Sequence, residues 1–482
     1  MGLICTKAFG MGIDVSDIKH VVHFAPTGTL ADYVQEIGRA ARNSEIQGIA
    51  HIDYFNGDLR YVRALNGISE MRQYQLKEML KKLYAIYSVK KHRNLLISSE
   101  TFEYLFKDGD FENRTKTGLM LLSKDLSNKY SFPVLIVRPK PMLSQNYVCV
   151  PTQIEDIFLS KYGKYAKKQP GLSSRKISSG LHNKNSDIQV YSIGDIYLLD
   201  MAHIWEEFHS DMSFGMFKKT FFEKEISLNG SSYRISPRVR VEIRYADDFS
   251  EVLKRIDDIM NAICNIFAKY KHSESKQFTQ RMFEEDLFEA LGTKIVSHEK
   301  FSLLLDIFSE NVDENAVFTQ SRSQVRILRK RKQPSTDETA YFVGTTNYFS
   351  AKNLFIKQIT QCTPNVDNNV FVRFYPYSKD KPIEIMPLLS FMEIIGLATY
   401  ETRGGEKAEV FVRINDPEKI CRLANTSYEN KVLQSIKHHH ADNQKLLQAF
   451  FTTEMDTDER WDLIEEYFLG NNDFVESKLG LI

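Results

Sequence analysis

The sequence lacks the patterns that stabilise small secreted, zinc-binding or membrane-spanning proteins. Only 5 of its 482 residues are cysteine and only 2 are tryptophan. The cysteines are scattered, so we expect neither a disulfide framework nor a C-x-x-C zinc site. A scattered, odd number of cysteines is typical of a reducing compartment, and we therefore predict a cytoplasmic protein. No apolar run approaches the ~20 residues of a membrane span, so we expect no membrane partner.

An excess of charge of either sign is also absent. Lysine plus arginine and aspartate plus glutamate each number 63, which gives a formal net charge of zero. Any contact with nucleic acid must therefore depend on local basic patches. Hydrophobic residues make up 42% and charged residues 26% of the chain, which excludes wholesale disorder. The length predicts about three domains of roughly 150 residues each.

The first residues alternate between strand and helix patterns. Short apolar runs at 3–6, 20–24 and 47–54 predict three strands. Between the last two, Thr29 is placed to cap a helix from Leu30 to about Arg42. Strands that alternate with a helix predict part of a parallel α/β sheet.

Polar residues and glycines in this segment suggest contact with a phosphate chain. Gly12 lies in a loop after the first strand, where a glycine allows close approach of a ligand, and Asp14 follows as an acceptor. Arg39 and Arg42 are three residues apart and share a helix face beside Gly38. Paired guanidinium groups suit phosphate oxygens. A surface helix with solvated arginines is the alternative interpretation of the helix alone.

The combination of motifs resembles a known family. T-K-A-F-G-M-G-I-D from residue 6, V-V-H-F-x-P from residue 21 and Q-E-I-G-R-A-x-R from residue 35 resemble motifs V and VI of RecQ-family superfamily 2 DNA helicases in letters, order and spacing. The resemblance covers residues 3 to about 65. It implies the second RecA-like lobe of an ATP-driven motor, of 3′-to-5′ polarity. This chain departs from the family at Ala41, usually glycine, and at Asn43, usually aspartate, which we do not expect to inactivate it.

The resemblance also implies roles for individual residues. Arg39 and Arg42 would be arginine fingers on the γ-phosphate, and Gln35 would line the same cleft. Asp14, Gly12 and Gly38 would lie near the nucleotide. Thr6 and Lys7 would contact the nucleic-acid backbone.

Half of such a motor is not recognisable in the sequence. No phosphate-binding loop of the form G-x-x-x-x-G-K-[ST] and no D-E-x-H motif occurs. We therefore expect the first RecA-like lobe to be supplied by upstream sequence or by a separate polypeptide, with ATP and Mg²⁺ bound only in the completed motor. Alone, the chain should not hydrolyse ATP. Three strands and one helix cannot cover both faces of a parallel sheet, so this segment should be unstable unless it is completed.

Beyond the motor segment the sequence predicts an α+β region with winged-helix modules. A long basic helix or helix pair is expected at 71–97 and a long amphipathic helix at 249–271. The family's zinc-binding cysteine cluster is absent, so we predict no zinc. His438, His439 and His440 would point in different directions on a helix and are not expected to form a ligand set. Trp461, with its apolar neighbours Leu463, Ile464, Tyr467 and Phe468, is predicted to anchor a C-terminal helix in a core.

Helix, turn, helix and hairpin patterns occur in three candidate winged helices. The first has helices at 196–209 and 214–222 and strands at 233–235 and 239–245. The second has helices at 282–291 and 300–309 and strands at 325–332 and 340–343. The third has a helix at 388–395 and strands at 397–401 and 409–414, with Gly404-Gly405 as the hairpin turn. The predicted domains are 1–68, 69–185, 186–248, 249–345 and 346–482, and they include a linker within 163–185.

The best candidate for a DNA-binding wing is a basic stretch in the second copy. Its members are Arg326, Arg329, Lys330, Arg331 and Lys332. A solvated strand edge, protected from mispairing by its charges, is the alternative interpretation, and winged helices also dock proteins. The sequence thus predicts the C-terminal portion of an ATP-dependent DNA helicase with DNA as partner. The alternative is a non-catalytic remnant that acts as a DNA- or protein-binding module.

Overall fold

The computed structural model describes most of the chain. The residues described are 4, 18–40, 46–60, 62, 71–106, 111–138, 145–169, 194–228, 234–274, 276–311, 324–332, 339–344, 347–365, 368–378, 383–407 and 409–481. Fifteen α-helices and fifteen strands lie within these ranges.

The helices are α1 Leu30–Ile37, α2 Gln73–Lys90, α3 Phe111–Tyr130, α4 Glu155–Tyr162, α5 Met201–Phe208, α6 Phe214–Phe222, α7 Phe249–His272, α8 Gln280–Leu291, α9 His298–Phe308, α10 Ser350–Thr360, α11 Met386–Ile395, α12 Pro417–Asn425, α13 Lys431–Thr452, α14 Thr457–Leu469 and α15 Asn472–Lys478. The strands are β1 His20–His23, β2 Ile49–Ile52, β3 Asn94–Ser98, β4 Leu135–Arg138, β5 Gln145–Val150, β6 Ala166–Lys168, β7 Asp195–Asp200, β8 Ser236–Tyr245, β9 Gln277–Thr279, β10 Ser309–Asn311, β11 Leu328–Lys332, β12 Thr339–Val343, β13 Val370–Pro376, β14 Ala398–Arg403 and β15 Glu409–Ile414.

The chain forms two compact units that are not contiguous in sequence. Unit 1 consists of Met1–Ala85, Thr117–Val134 and Asp416–Ile482, and unit 2 of Ile86–Lys116 and Leu135–Asn415. The boundaries of these two units differ from those of the five segments expected from the sequence. The five segments stay a prediction.

The motor-like segment lies in unit 1 and is covered by the end of the same chain. β1 and β2 pair in parallel, with His20 opposite Ile49 and His23 opposite Ile52, and α1 connects them. The apolar face of α1 packs on C-terminal helices in one core cluster, whose α1 members are Leu30, Tyr33 and Ile37 and whose C-terminal members are Leu447, Phe450, Leu463, Ile464, Val475 and Leu479. The chain itself therefore buries this face of the helix, and the instability of the segment stays a prediction. The strands are less well covered than the helix. Val22 on β1 is 69% exposed, and Ile49 on β2 is 52% exposed.

A buried hydrogen-bond network joins two other parts of unit 1. The carboxylate of Asp125 on α3 accepts from the Tyr428 hydroxyl at 2.7 Å and from the Lys431 backbone N–H at 2.8 Å. Asn430 caps α13 by accepting from the backbone N–H of Leu433 at 2.8 Å. These bonds satisfy polar groups that would otherwise be costly to bury. They fix the start of α13, the helix that carries part of the cover over α1.

Unit 2 is built on three sheets. In a six-stranded sheet the neighbours run β13, β8, β5, β7 and β6, and β14 also pairs with β8. A second sheet has the order β10, β11, β12, β9, and a third has the order β3, β15, β4. Aromatic side chains of α4 and α6, among them Phe158, Phe217 and Phe221, form a core against the first sheet.

The second sheet belongs to a module that runs from α7 to β12. After α7 come β9, α8, α9, β10 and then the antiparallel pair β11 and β12. β9 pairs with β12, so β12 lies between β9 and β11. A stack of phenylalanines, including Phe267, Phe278 and Phe283, fills the space between this sheet and the helices. The helices predicted at 249–271, 282–291 and 300–309 and this hairpin are confirmed.

The helix predicted at 196–209 is wrong over its first half. Residues Asp195–Asp200 form β7, which pairs with β5 and β6, and the helix begins only at Met201. The long helix predicted at 71–97 ends at Lys90, after which β3 begins at Asn94. In both places a run of apolar residues forms a strand because an existing sheet edge offers it hydrogen bonds.

The hairpin predicted around Gly404 and Gly405 is also wrong. β14 pairs with β8, whereas β15 pairs with β3 and β4. The two strands therefore enter different sheets, and the third candidate winged helix has no wing. The first candidate fails for a related reason, since β8 is an interior strand of the six-stranded sheet.

The prediction for the C-terminal helix is confirmed only in part. Leu463 and Ile464 on α14 are buried, as expected. Trp461 is 52% and Phe468 is 57% exposed, so neither is a core anchor.

A buried carboxyl group lies close to the Gly404-Gly405 turn. Glu100 accepts from the Ser98 hydroxyl at 2.9 Å, and a Cβ on Gly405 would lie 2.6 Å from a Glu100 carboxylate oxygen. Burial raises the pKa of Glu100 to about 7, with Glu103, Lys407 and Glu409 as charged neighbours. The unfolded chain loses this proton near pH 4.5, whereas the folded chain keeps it to about pH 7. The folded state therefore binds more protons in this window, and its stability falls as pH rises through it.

We expect Glu100→Gln to flatten this pH dependence. The free energy of unfolding is measured by urea titration at pH 5 and pH 8. It should fall less between these two pH values in the variant than in the natural chain. It should not become fully flat, because burial also raises the pKa of Glu409. Glu206→Gln, at an exposed position of α5, is the matched control. The same pH profile for Glu100→Gln and for the natural chain would contradict the assignment.

Candidate nucleotide-facing and nucleic-acid sites

The end of α1 presents part of the predicted nucleotide site. Thr29 caps the helix by accepting from the Asp32 backbone N–H at 3.1 Å, as predicted. The helix ends earlier than predicted, at Ile37, where the N–H of Gly38 donates to the Val34 carbonyl at 2.9 Å. Gln35 and Gly38 are exposed and Arg39 is partly exposed. The structure thus places the described polar members of the motif at the solvent-facing end of α1.

A buried histidine holds α1 against β1. Nε2 of His23, the last residue of β1, lies 2.9 Å from a carboxylate oxygen of Glu36 on α1. The ring also lies 5.1 Å from the Tyr33 ring, measured between centroids. The Nδ1 atom of His23 is buried without a hydrogen-bond partner. Glu36 directly follows Gln35, so this pair fixes the helix turn that carries the candidate site.

This positioning pair was missed from the sequence. Both residues are letters of the quoted motifs, V-V-H-F and Q-E-I-G, and that was the available signal. Their pairing depends on the parallel register of β1 and β2 and on the path of α1, which the letters do not give.

The remaining predicted residues of the motor site lie outside the described residues. These are Thr6, Lys7, Gly12, Asp14 and Arg42. The predicted first strand also lies outside them, except for Ile4.

The basic stretch of the second candidate winged helix forms β11 and the residues before it. Arg326 and Arg331 are exposed, whereas Arg329 is partly buried and lies against Gly344. The Lys330 ammonium lies 2.8 Å from the Asp306 carboxylate of α9, and both side chains are 15% exposed. The side chain of Lys332 lies outside the described residues. Part of the positive charge is therefore neutralised within the module.

β11 is not a solvated edge strand, which was the alternative interpretation of this stretch. It lies between β10 and β12 and pairs with both. Arg329 and Lys330, which β10 covers, therefore do not protect a free edge. The guanidinium of Arg326 lies 4.0 Å from Glu310 of β10, which reduces the local positive potential.

The helix that would enter a DNA groove offers little basic surface. The apolar side chains of α9 are buried, including Phe301, Leu304 and Phe308. Its fully exposed residues are His298 and Glu299. The neighbouring α8 carries acidic residues at 284–286 and exposes Met282 and Phe288. A DNA contact of this module would therefore come from β11 and the residues before it.

The histidines on α13 do not assemble a metal site. His438 lies 3.6 Å from Asp442, one helical turn away. Within the described part of the chain, no group of three or more histidine, cysteine, aspartate or glutamate side chains could hold a metal ion. Among the helices of the described residues, none combines the length and apolar character needed to cross a membrane.

Comparison with known proteins identifies the N-terminal segment. Residues 2–44 match the helicase conserved C-terminal domain. The N-terminus carries a helicase C-terminal domain. We refer to residues 2–44 as the helicase segment, and its described part contains β1 and α1.

Curated relatives match the chain over short regions. The chain is 31% identical over 109 residues to ATP-dependent DNA helicase Q-like 5 of Arabidopsis thaliana, which covers 22% of this chain and 12% of that protein. It is 49% identical over 43 residues to the probable ATP-dependent DNA helicase RecS of Bacillus subtilis, covering 9% of each protein. An ATP-dependent RNA helicase, DBP2 of Encephalitozoon cuniculi, is 43% identical over 63 residues, or 13% of each.

The resemblance to RecQ-family DNA helicases is thus confirmed for the helicase segment. The matched regions cover about an eighth or less of each of these relatives. The comparison with solved structures gave no match.

Proposed function

We propose that the chain supplies the C-terminal part of an ATP-dependent DNA helicase. The observation that carries this proposal is the position of Gln35 and Arg39 at the solvent-facing end of α1, inside the helicase segment. Arg39 is partly exposed and lies just beyond the Gly38 cap of α1, and in this proposal its guanidinium contacts a phosphate held by another lobe. The 3′-to-5′ polarity and the preference for DNA follow from the resemblance to RecQ-family helicases.

In this proposal the helicase segment acts on ATP bound mainly by a first RecA-like lobe. Arg39 and Arg42 are the arginine fingers, and Gln35 orients groups in the same cleft. Because the C-terminal end of a helix carries partial negative charge, attraction for the triphosphate must come from the guanidinium groups. Asp14, Gly12 and Gly38 contribute to the nucleotide site, and Thr6 and Lys7 contact the nucleic-acid backbone.

The chemistry of these donors fits a triphosphate. Guanidinium groups remain charged and donate paired hydrogen bonds to oxyanions. Charge that builds on the transferring phosphoryl group is stabilised by such a positioned cation. The β- and γ-phosphates and Mg²⁺ need a phosphate-binding loop, which the missing lobe would supply.

The test of the motor assignment is DNA-stimulated ATP hydrolysis by the chain reconstituted with a first RecA-like lobe. Hydrolysis that requires Arg39 supports the proposal. Hydrolysis that is unchanged in Arg39→Ala rejects the finger role.

The module from α7 to β12 is the proposed DNA-binding part. The order helix, strand, helix, helix and hairpin, with β9 paired to β12, is consistent with a winged helix. The basic residues are Arg326, Arg329, Lys330, Arg331 and Lys332. Since α9 is buried, binding would depend on phosphate contacts and would carry little sequence specificity.

We expect Arg326→Ala and Arg331→Ala to weaken DNA binding uniformly across sequences. Each lost phosphate contact should reduce the slope of log K against log salt by about 0.9 for duplex DNA. Fluorescence anisotropy with a labelled duplex at several salt concentrations measures this slope. Arg281→Ala is the control, because Arg281 is exposed in the same module and pairs with Glu285 at 2.9 Å. Equal slopes for all variants would reject the proposed DNA contact.

The second candidate function is a non-catalytic module that binds DNA or protein. Two observations favour protein binding, namely the acidic α8 with its exposed Met282 and Phe288, and the neutralised Lys330. Winged helices serve both purposes, so the arrangement alone does not decide between them. Absence of ATP hydrolysis after reconstitution would favour this alternative, and absence of salt-dependent DNA binding as well would favour a protein partner.

A further inference from the structure

A row of charged side chains crosses one face of the six-stranded sheet in unit 2. Along β8, Arg238, Arg240, Glu242 and Arg244 occupy alternate positions and therefore share one face. The other face of β8 carries valine and isoleucine, which are buried. On the charged face Glu242 is buried and the three arginines are partly exposed. A charged residue is rarely fully buried unless it is paired.

The register of β14 on β8 places like charges directly opposite each other. Glu401 faces Glu242, and Arg403 faces Arg240. Like charges in directly opposite positions destabilise a sheet unless other groups compensate them.

The two glutamates are compensated. Glu242 accepts from Arg240 and Arg244, and Glu401 accepts from Lys90 at the end of α2. Glu401 also lies 3.9 Å from the Arg244 guanidinium.

Arg403 lacks an ion pair of this kind, and Glu409 is its neighbour of opposite charge. Within the described residues, no carboxylate forms an ion pair with Arg403. Its Nη2 atom donates to the Leu96 carbonyl at 3.4 Å, and its Nε atom is buried without a partner. The Nε atoms of Arg238 and Arg244 are likewise buried and without partners. Buried donors that lack an acceptor are costly, so an acceptor at this place would be stabilising.

The charges around Arg403 leave a positive excess. The cations are Lys90, Arg240, Arg244 and Arg403, and the carboxyl groups are Glu242, Glu401 and Glu409. Burial also raises the pKa of Glu409, which weakens its contribution of negative charge.

The opposed arginines remain accessible and are held in place. The Arg240 side chain is 21% and the Lys90 side chain 20% exposed, and Arg403 is partly exposed. The next residue, Gly404, has a φ of +85°, and a Cβ there would lie 2.8 Å from the Tyr147 ring and 2.9 Å from the Arg238 carbonyl. Only glycine fits this close approach, which fixes the backbone from which Arg403 projects.

We propose that Arg240, Arg403 and Lys90 form a binding site for a phosphate group. An oxyanion between the two opposed guanidinium groups would accept hydrogen bonds from both and remove their mutual repulsion. The ligand is a phosphate of a nucleic-acid backbone or a free phosphate compound, since both present the same oxygens. This site consists of residues other than those of the helicase segment and the β11 stretch, and it does not depend on their proposed functions.

The first experiment uses the full chain and inorganic phosphate. Calorimetric titration at constant ionic strength, with chloride as the reference ion, should show saturable binding. Arg403→Gln and Arg240→Gln should each raise the dissociation constant about tenfold or more, since each removes charge-assisted hydrogen bonds. Arg413→Gln, at the exposed position of β15, should leave it unchanged. Binding that is the same in Arg403→Gln and the natural chain would overturn the proposal.

A second variant, Lys90→Gln, provides a test if Arg403→Gln does not fold. Lys90 lies at the end of a helix and is partly exposed, so Lys90→Gln should fold and should still weaken phosphate binding. If Arg403→Gln does not fold, unchanged phosphate affinity in Lys90→Gln would overturn the site.

Competition then distinguishes the two sources of phosphate. A single-stranded oligonucleotide that displaces phosphate, and whose own affinity falls in Arg403→Gln but not in Arg413→Gln, would identify a nucleic-acid backbone as the ligand. An oligonucleotide that leaves phosphate bound would identify a free phosphate compound. Saturable binding that depends on Arg403 supports the site in either case.

Discussion

Replacing Arg39 by alanine in the reconstituted motor is expected to lower DNA-stimulated ATP hydrolysis by about 10³–10⁵-fold. Arg39 is partly exposed and lies just beyond the Gly38 cap of α1, and the proposed function assigns its guanidinium to the γ-phosphate. A finger acts mainly in the transition state, so the turnover number should fall much more than the affinity for ATP. Steady-state hydrolysis with saturating single-stranded DNA measures the turnover number, and binding of a fluorescent nucleotide measures the affinity.

Controls separate a finger from a structural residue. Arg42→Ala is expected to show a loss of similar size, and Arg60→Ala, at an exposed arginine after β2, little change. Arg39→Lys keeps the charge but loses the paired donors, so it should recover only part of the activity. An equal effect of Arg39→Ala and Arg60→Ala would argue against the finger role.

Phe450→Ala is expected to destabilise unit 1 by about 3–5 kcal/mol. Phe450 on α13 is buried, and its ring centroid lies 5.9 Å from that of Tyr33 on α1 and 5.4 Å from that of Phe451. The Arg460 guanidinium lies 5.4 Å from the same ring and donates to the Phe450 carbonyl at 2.8 Å. Truncation therefore leaves a cavity where α1, α13 and α14 share one core.

The two tryptophans allow this loss to be assigned to one unit. Trp461 lies in unit 1 and Trp205 in unit 2, so single-tryptophan variants report on each unit separately. Urea unfolding followed through Trp461 should move to lower denaturant in Phe450→Ala, and unfolding followed through Trp205 should move less. Phe468→Ala, at an exposed position of α14, is the matched control and should cost about 0.5 kcal/mol or less. Equal losses in Phe450→Ala and Phe468→Ala would contradict the packing described.

Local signals in the sequence were sufficient for several elements. The Thr29 cap and the 3.6-residue spacing of Leu30, Tyr33 and Ile37 predict α1 without tertiary information. The long amphipathic pattern of α7 and the hairpin of β11 and β12 were likewise predictable. In these elements propensity, capping and apolar periodicity all favour the same structure.

Tertiary partners decided the elements that were mispredicted. Gly404-Gly405 is a strong local hairpin signal, yet β14 and β15 pair with β8 and β3, strands distant in the sequence. The apolar run in β7 fits a helix or a strand, and pairing with β5 selects the strand.

The candidate sites were predictable to different degrees. Gln35, Gly38 and Arg39 could be identified from motif letters because the resemblance is specific. The alternation of arginine and valine in β8 signals a charged strand face, but the opposition of Arg240 and Arg403 depends on the register between β8 and β14. The partner of Lys330, Asp306, lies on another element and carries no sequence signal of its own.

The core shared by α1 and the C-terminal helices has a consequence for how the protein is made. The helicase segment emerges from the ribosome long before α13 and α14 are synthesised. At about 5–20 residues per second the delay is on the order of tens of seconds. During that delay the apolar stripe of α1 stays uncovered on the nascent chain, where it is a target for chaperones and for aggregation. The yield of protein in cells should therefore depend on elongation speed and chaperone supply more than the folded stability alone would suggest.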